Sequence, residues 1–133
     1  LFNRKTRKAT KKETREKENV YYATHPNTLS LCLPYVKANF KGYTIYDPAC
    51  GNGEITKFFD KEGFNTIGTD LFTTESKLDF LNDDIGHLNL PEKTLLVCAP
   101  PISGRFSFLD AMRRLPYPFI ALINSDVLFC IEC

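Results

Sequence analysis

The sequence has no tryptophan, one methionine and two histidines, His25 and His87. So little histidine argues against a zinc centre. No run approaches the ~20 apolar residues of a membrane-spanning helix, and the first residues do not read as a signal peptide. A membrane is therefore not an expected partner. The five cysteines are odd in number and scattered. Cys32, Cys50 and Cys98 fall in apolar or motif segments, a usage expected of an intracellular protein of the cytoplasm or nucleus. Cys130 and Cys133 form a single CxxC, half of a zinc site. Without a second CxxC the preferred reading is a strand end with two buried thiols, and no metal is expected.

What is present suffices for one domain. The 133 residues are 43% apolar and 13% aromatic. The net charge of +1 hides an asymmetry: residues 1–19 carry +5 and the remainder −4. A basic arm on a mildly acidic body suits a nucleic-acid partner, while a charge run of this kind also serves as a solvated tail. Residues 1–19 are thus read as a basic arm and residues 20–133 as the folded domain.

Strand and helix signals alternate through that domain. Thr24 can cap a helix and Pro26 suits a first turn; Leu29, Leu33, Val36 and Phe40 recur at helical spacing, with Pro34 expected to kink or split the helix. Residues 43–46 read as a first strand and 54–62 as a helix stopped by Gly63. Residues 64–69 read as a second strand, 78–81 as a short third strand or strand end, and 94–98 as a fourth. Residues 106–115 read as a helix and 118–123 as a fifth strand. Strands alternating with helices predict an α/β fold with a mostly parallel sheet.

The strongest motif is Asp47-Pro48-Ala49-Cys50-Gly51-Asn52-Gly53, which follows a strand and opens a helix. Ligands of α/β sheets bind at the carboxyl ends of strands, where glycines permit close backbone approach. The Lys-Ser/Thr pair of a nucleotide-phosphate loop is missing, and an aspartate at the start of the turn favours a cation over a phosphate. Asp70 follows at the end of the second strand, where a carboxylate can accept from ribose hydroxyls.

In this order and spacing, DPACGNG, GTDL and LDFL resemble motifs I, II and III of the S-adenosylmethionine-dependent methyltransferases that modify adenine N6. The resemblance runs from about Tyr21 to about Leu128. It implies a Rossmann-like class I methyltransferase fold that, ending after the fifth strand, lacks its last strands. It implies that Asp47, Cys50, Gly51 and Gly53 border the methionine part of S-adenosylmethionine and that Asp70 holds the ribose. Asp79 would accept from the adenine amine, with Phe80 or Leu71 packed on its ring. Tyr22-Ala23-Thr24-His25-Pro26 is similar to motif X, in which Thr24 would meet the cofactor carboxylate.

The catalytic loop departs from the family pattern of Asn, Asp or Ser, then Pro-Pro, then an aromatic residue. Here it reads Ala99-Pro100-Pro101-Ile102. In the family the polar side chain and a backbone carbonyl accept the amine hydrogens, and the aromatic residue stacks on the extruded base. Ala99 lacks the acceptor and Ile102 the π-face; Phe106 or Phe108 is a candidate for stacking, and Ser103 lies close in sequence. An alanine placed by design and a drifted pseudoenzyme both account for Ala99. The resemblance implies an enzyme transferring methyl groups to adenine N6 in DNA or RNA. Its alternative is an inactive pseudo-methyltransferase serving as a nucleic-acid-binding subunit or as the partner of another methyltransferase subunit; methylation of a protein amide or amine is a third reading.

Overall fold

A computed structural model describes residues 26–72, 77–101, 104–123 and the backbone of 126–130. The first element, α1 (Pro26–Asn39), buries Leu29, Cys32 and Val36 at spacings of three and four, with Phe40 just beyond its end. Pro34 lies inside the helix without splitting it. It is exposed, as is Ser30, whose carbonyl the missing N–H would have met. The hydrogen bond that the ring removes is therefore lost from the solvent side and not from the packed face.

Strand β1 (Thr44–Asp47) is buried along its whole length. The glycine turn then feeds α2 (Glu54–Lys61), which buries Ile55 and Phe59 one turn apart. Gly63, at φ 91°, closes α2. Phe64 N–H reaches back to Phe59 O at 3.0 Å and Gly63 N–H to Asp60 O at 3.1 Å. These two bonds and the edge-on Phe59–Phe64 ring contact at 5.6 Å form a Schellman cap. The chain continues into β2 (Asn65–Gly68), a 3₁₀ turn (Gly86–Leu88), β3 (Thr94–Cys98), α3 (Arg105–Arg113), β4 (Phe119–Ile123) and β5 (Asp126–Cys130).

The five strands make one sheet in the order β2-β1-β3-β4-β5. The first four pair in parallel, and β5 turns back antiparallel to β4. Residues 78–81, read from sequence as a short third strand or strand end, are not in a strand. The neighbouring chain makes a single bridge, Asp70 to Lys77, and a turn follows from Phe80. Side chains explain the difference. Asp79 accepts from Leu81 N–H at 3.1 Å and Asn82 Nδ2 at 2.9 Å, while Asp83 accepts from Asp79 N–H at 2.8 Å. Such local caps compete with strand pairing. The sheet also does not end with the strand at 118–123, since β5 extends it.

Alternation along the strands builds two cores. Ile45, Leu95, Val97, Ile120 and Leu122 pack with the buried residues of α1 and α2. Tyr46, Leu96, Cys98, Phe119 and Ala121 pack on the other face with Leu78, Phe80, Phe108 and Met112. A sheet covered on both faces is the arrangement that parallel pairing requires. The described residues form an α/β layer structure compatible with a Rossmann-like fold. No described helix is long and apolar enough to cross a membrane.

Candidate functional site

The strand order creates a crevice. After β1 the chain goes out to β2 on one side, then crosses to β3 on the other. The loops leaving β1 and β3 therefore diverge in opposite directions, and a gap opens at their carboxyl ends. Asp47 is the last residue of β1 and Cys98 the last of β3. The register that pairs Tyr46 with Leu96 brings both to this gap.

Asp47 is fully buried. Its Oδ1 accepts from Ala49 N–H at 3.0 Å, which starts the turn, but its Oδ2 is buried without a hydrogen-bond partner. Burial, above all, pushes its carboxyl from 3.8 up to about 7; the Ala49 N–H and the Cys98 thiol oppose this, and the Asp70 charge adds to it. Burial, then the Asp47 charge, likewise pushes the Cys98 thiol well above its ordinary range.

The glycine turn is stitched to the loop after β2. Cys50 N–H donates to Thr69 O at 3.0 Å, and Gly51 N–H donates to Asp70 Oδ2 at 2.9 Å. Asp70 Oδ1 takes Phe72 N–H at 2.8 Å, and Asp70 O takes Leu78 N–H at 3.0 Å. One buried aspartate thus ties together the turn after β1, its own loop and the segment at 77–79. Gly51 and Gly53 have φ of 52° and 81°, backbone conformations in which a side chain is strained. Below them, Gly68 has no room for a side chain. A Cβ there would lie 3.0 Å from both Cβ and Sγ of Cys50.

Asp47, Cys50, Gly51, Gly53 and Asp70 therefore converge at one corner of the sheet. Asp79 lies on the segment tethered to Asp70, with its carboxylate capping the turn at 81–82. Phe80 is a core residue. It meets Tyr46 edge-on at 6.3 Å and stacks on Phe108 at 5.4 Å. Leu71 is half-buried and faces the cleft between the two loops, which is lined also by Pro48, Asp70, Phe72, Phe80 and Pro101. Among the described residues this cleft encloses only about 10 Å³.

On the β3 side, Ala99 is half-buried against the core formed with α1 and α2, Pro100 is half-buried, and Pro101 is buried at the cleft. Pro101 O accepts from Gly104 N–H at 3.1 Å, which starts α3. Phe108 is buried in the second core, at the floor of the cleft. Phe106 is 73% exposed, with the Arg105 guanidinium 5.1 Å from its ring centre. Thr24, Ile102, Ser103 and Cys133 lie outside the described residues, as does the arm at 1–19.

Sequence reasoning passed over Cys98 and Gly68 as parts of the site. The signal for Cys98 was its place at a strand end beside the Pro-Pro loop. Gly68 carried none, because its close approach to Cys50 depends on strand register. No group of three or more metal-ligating side chains exists among the described residues. Comparison with protein-family models, curated proteins and solved structures finds no match to this chain.

Proposed function

We propose that this chain is a methyltransferase domain that holds S-adenosylmethionine at the gap between β1 and β3 and directs methyl transfer to adenine N6 in DNA or RNA. The observation that carries the reading is the buried Asp47 Oδ2 without a partner, set beside a glycine turn that Asp70 pins in place. A buried carboxylate oxygen calls for a donor, and the ammonium of an amino-acid-bearing cofactor is one. Asp70, at the end of the next strand, stands at the same corner, where a carboxylate can accept from ribose hydroxyls. When bound, S-adenosylmethionine supplies an electrophilic methyl group on sulfur.

The chain's own residues would do the rest. Gly51 and Gly53 let the backbone approach the ligand closely. Leu71 presents apolar surface to an adenine ring. A nucleoside-sized ligand needs a cleft of roughly 300 Å³ or more, so docking has to part Leu71 and Phe72 from Pro101. In the Pro-Pro loop the backbone carbonyls remain as acceptors for the target amine.

A second reading has its own observation. Ala99 packs against the core and brings no polar atom to the loop. On that reading the domain keeps the ligand and serves as a silent nucleic-acid-binding or partner subunit. Calorimetric titration with S-adenosylhomocysteine tests the binding site, and absence of binding refutes both readings. Single-turnover methylation of adenine-containing DNA and RNA then separates them. Loss of one acceptor and one stacking partner costs about 2–6 kcal/mol, or roughly 30-fold to 10,000-fold in rate. Recovery of turnover in Ala99→Asn supports the enzyme; continued silence supports the subunit.

A further inference from the structure

The unpartnered Asp47 oxygen has a consequence for how a ligand enters. A buried ionised carboxylate is stable only when a cation or several good donors face it. Among the described residues Asp47 has one backbone donor, Ala49 N–H on Oδ1, and the weakly donating Cys98 thiol beside it, while Oδ2 has no hydrogen-bond partner. Among the described residues the titratable groups facing it are Asp70 from the loop after β2, Cys98 from β3, and Tyr46 from its own strand. None of them is a cation, and Asp70 is a like charge. Without a cation the carboxyl keeps its proton.

Resting on the reading that the ligand brings an ammonium group to this corner, we infer that Asp47 stores a proton and surrenders it on docking, so that binding exports one proton to solvent. The exchange balances without any other reactant. The Asp47 O–H bond breaks, its electron pair stays on the oxygen, the proton leaves to water, and the carboxylate pairs with the ligand's ammonium. The near-neutral titration of Asp47 places this exchange in an accessible range. Affinity therefore rises with pH up to about 7. The ligand's α-amino group remains charged throughout that range, since it titrates at ~7.7–8.0.

Two measurements on the whole chain test the inference. Carbon-13 NMR of the carboxyl carbons in the ligand-free protein should show one aspartate titrating near neutrality, lost in Asp47→Asn. Calorimetry with S-adenosylhomocysteine at pH 6, in buffers of different ionisation heat, should show release of about 0.9 proton per ligand. Between pH 5.5 and 6.5 the affinity should rise about eightfold in the native chain and stay flat in Asp47→Asn. Binding without proton release overturns the inference and leaves the proposed ligand standing. A near-neutral aspartate with no binding at any pH overturns the proposed ligand and the docking exchange, while the stored proton stands. Carboxyl groups that all titrate in the ordinary range overturn the inference whatever the ligand does.

Discussion

Replacing Asp70 tests whether this residue is a scaffold as well as a ligand group. Its carboxylate is 1% exposed and accepts two backbone N–H groups, from Gly51 at 2.9 Å and Phe72 at 2.8 Å. Asp70→Ala leaves both N–H groups without that acceptor. Each part-buried donor left unsatisfied costs about 1–3 kcal/mol, so the variant should lose about 2–6 kcal/mol of stability. A domain of this length shifts its melting temperature by roughly 3–4 °C per kcal/mol, so the expected fall is on the order of 7–20 °C. Asp70→Asn keeps one amide oxygen and should fall by about half as much. Thermal unfolding by circular dichroism measures both, and calorimetry on the folded fraction measures loss of S-adenosylhomocysteine affinity. If Asp70→Ala melts with the native protein while losing ligand affinity, the residue is a ligand group alone. The account of the turn as a structure pinned by Asp70 is then wrong.

Three further outcomes are expected. Gly68→Ala should destabilise the fold by about 1–3 kcal/mol in urea unfolding, because its Cβ would meet Cys50 at 3.0 Å and displace the glycine turn. Asp47→Asn should raise thermal stability at pH 8 by on the order of 1–4 kcal/mol and change it little near pH 4. The sign follows from the folded carboxyl's rise from 3.8 to about 7: stability from the retained proton is complete below about pH 4 and is lost as pH rises to 7. Equal gains at both pH values would contradict a protonated Asp47. Deleting residues 1–17, which hold eight of the 17 basic side chains, should weaken DNA or RNA binding and flatten its salt dependence; unchanged affinity and slope would make the arm a solvated tail.

The alternating order of strands and helices was legible because each signal was local. The strands near 44–47, 65–68, 94–98 and 119–123 are short β-branched or apolar runs bounded by turns. The DPACGNG turn announced itself through two glycines that need positive φ. Tertiary effects were not legible. Phe80, expected with Leu71 as the alternative to pack on a bound adenine ring, lines the cleft but is also held between Tyr46 and Phe108, and the sequence carries no sign of that core packing. The turn at 80–82 overrode an apolar pattern because Asp79 and Asp83 satisfied the backbone themselves. Strand β5 was legible only as a strand end at Cys130, and its return against β4 was not, because Asn124-Ser125 lacks the glycine that marks a tight hairpin. That Pro34 does not split its helix was not legible, because its effect depends on which side of the helix faces water.

Tyr46 gives the site an optical label. With no tryptophan in the chain, near-ultraviolet absorption and emission come chiefly from six tyrosines. Tyr46 is buried at the base of the crevice, its hydroxyl 2.8 Å from Thr69 Oγ1 and its ring edge-on to Phe80. Burial holds its phenol above the ordinary range near 10, so it stays un-ionised in alkali that converts exposed tyrosines to phenolate. Its absorbance step in an alkaline titration is delayed until that corner of the sheet comes apart. Thr69 lies between Gly68 and Asp70, so a ligand that shifts the loop after β2 also shifts the environment of this one chromophore.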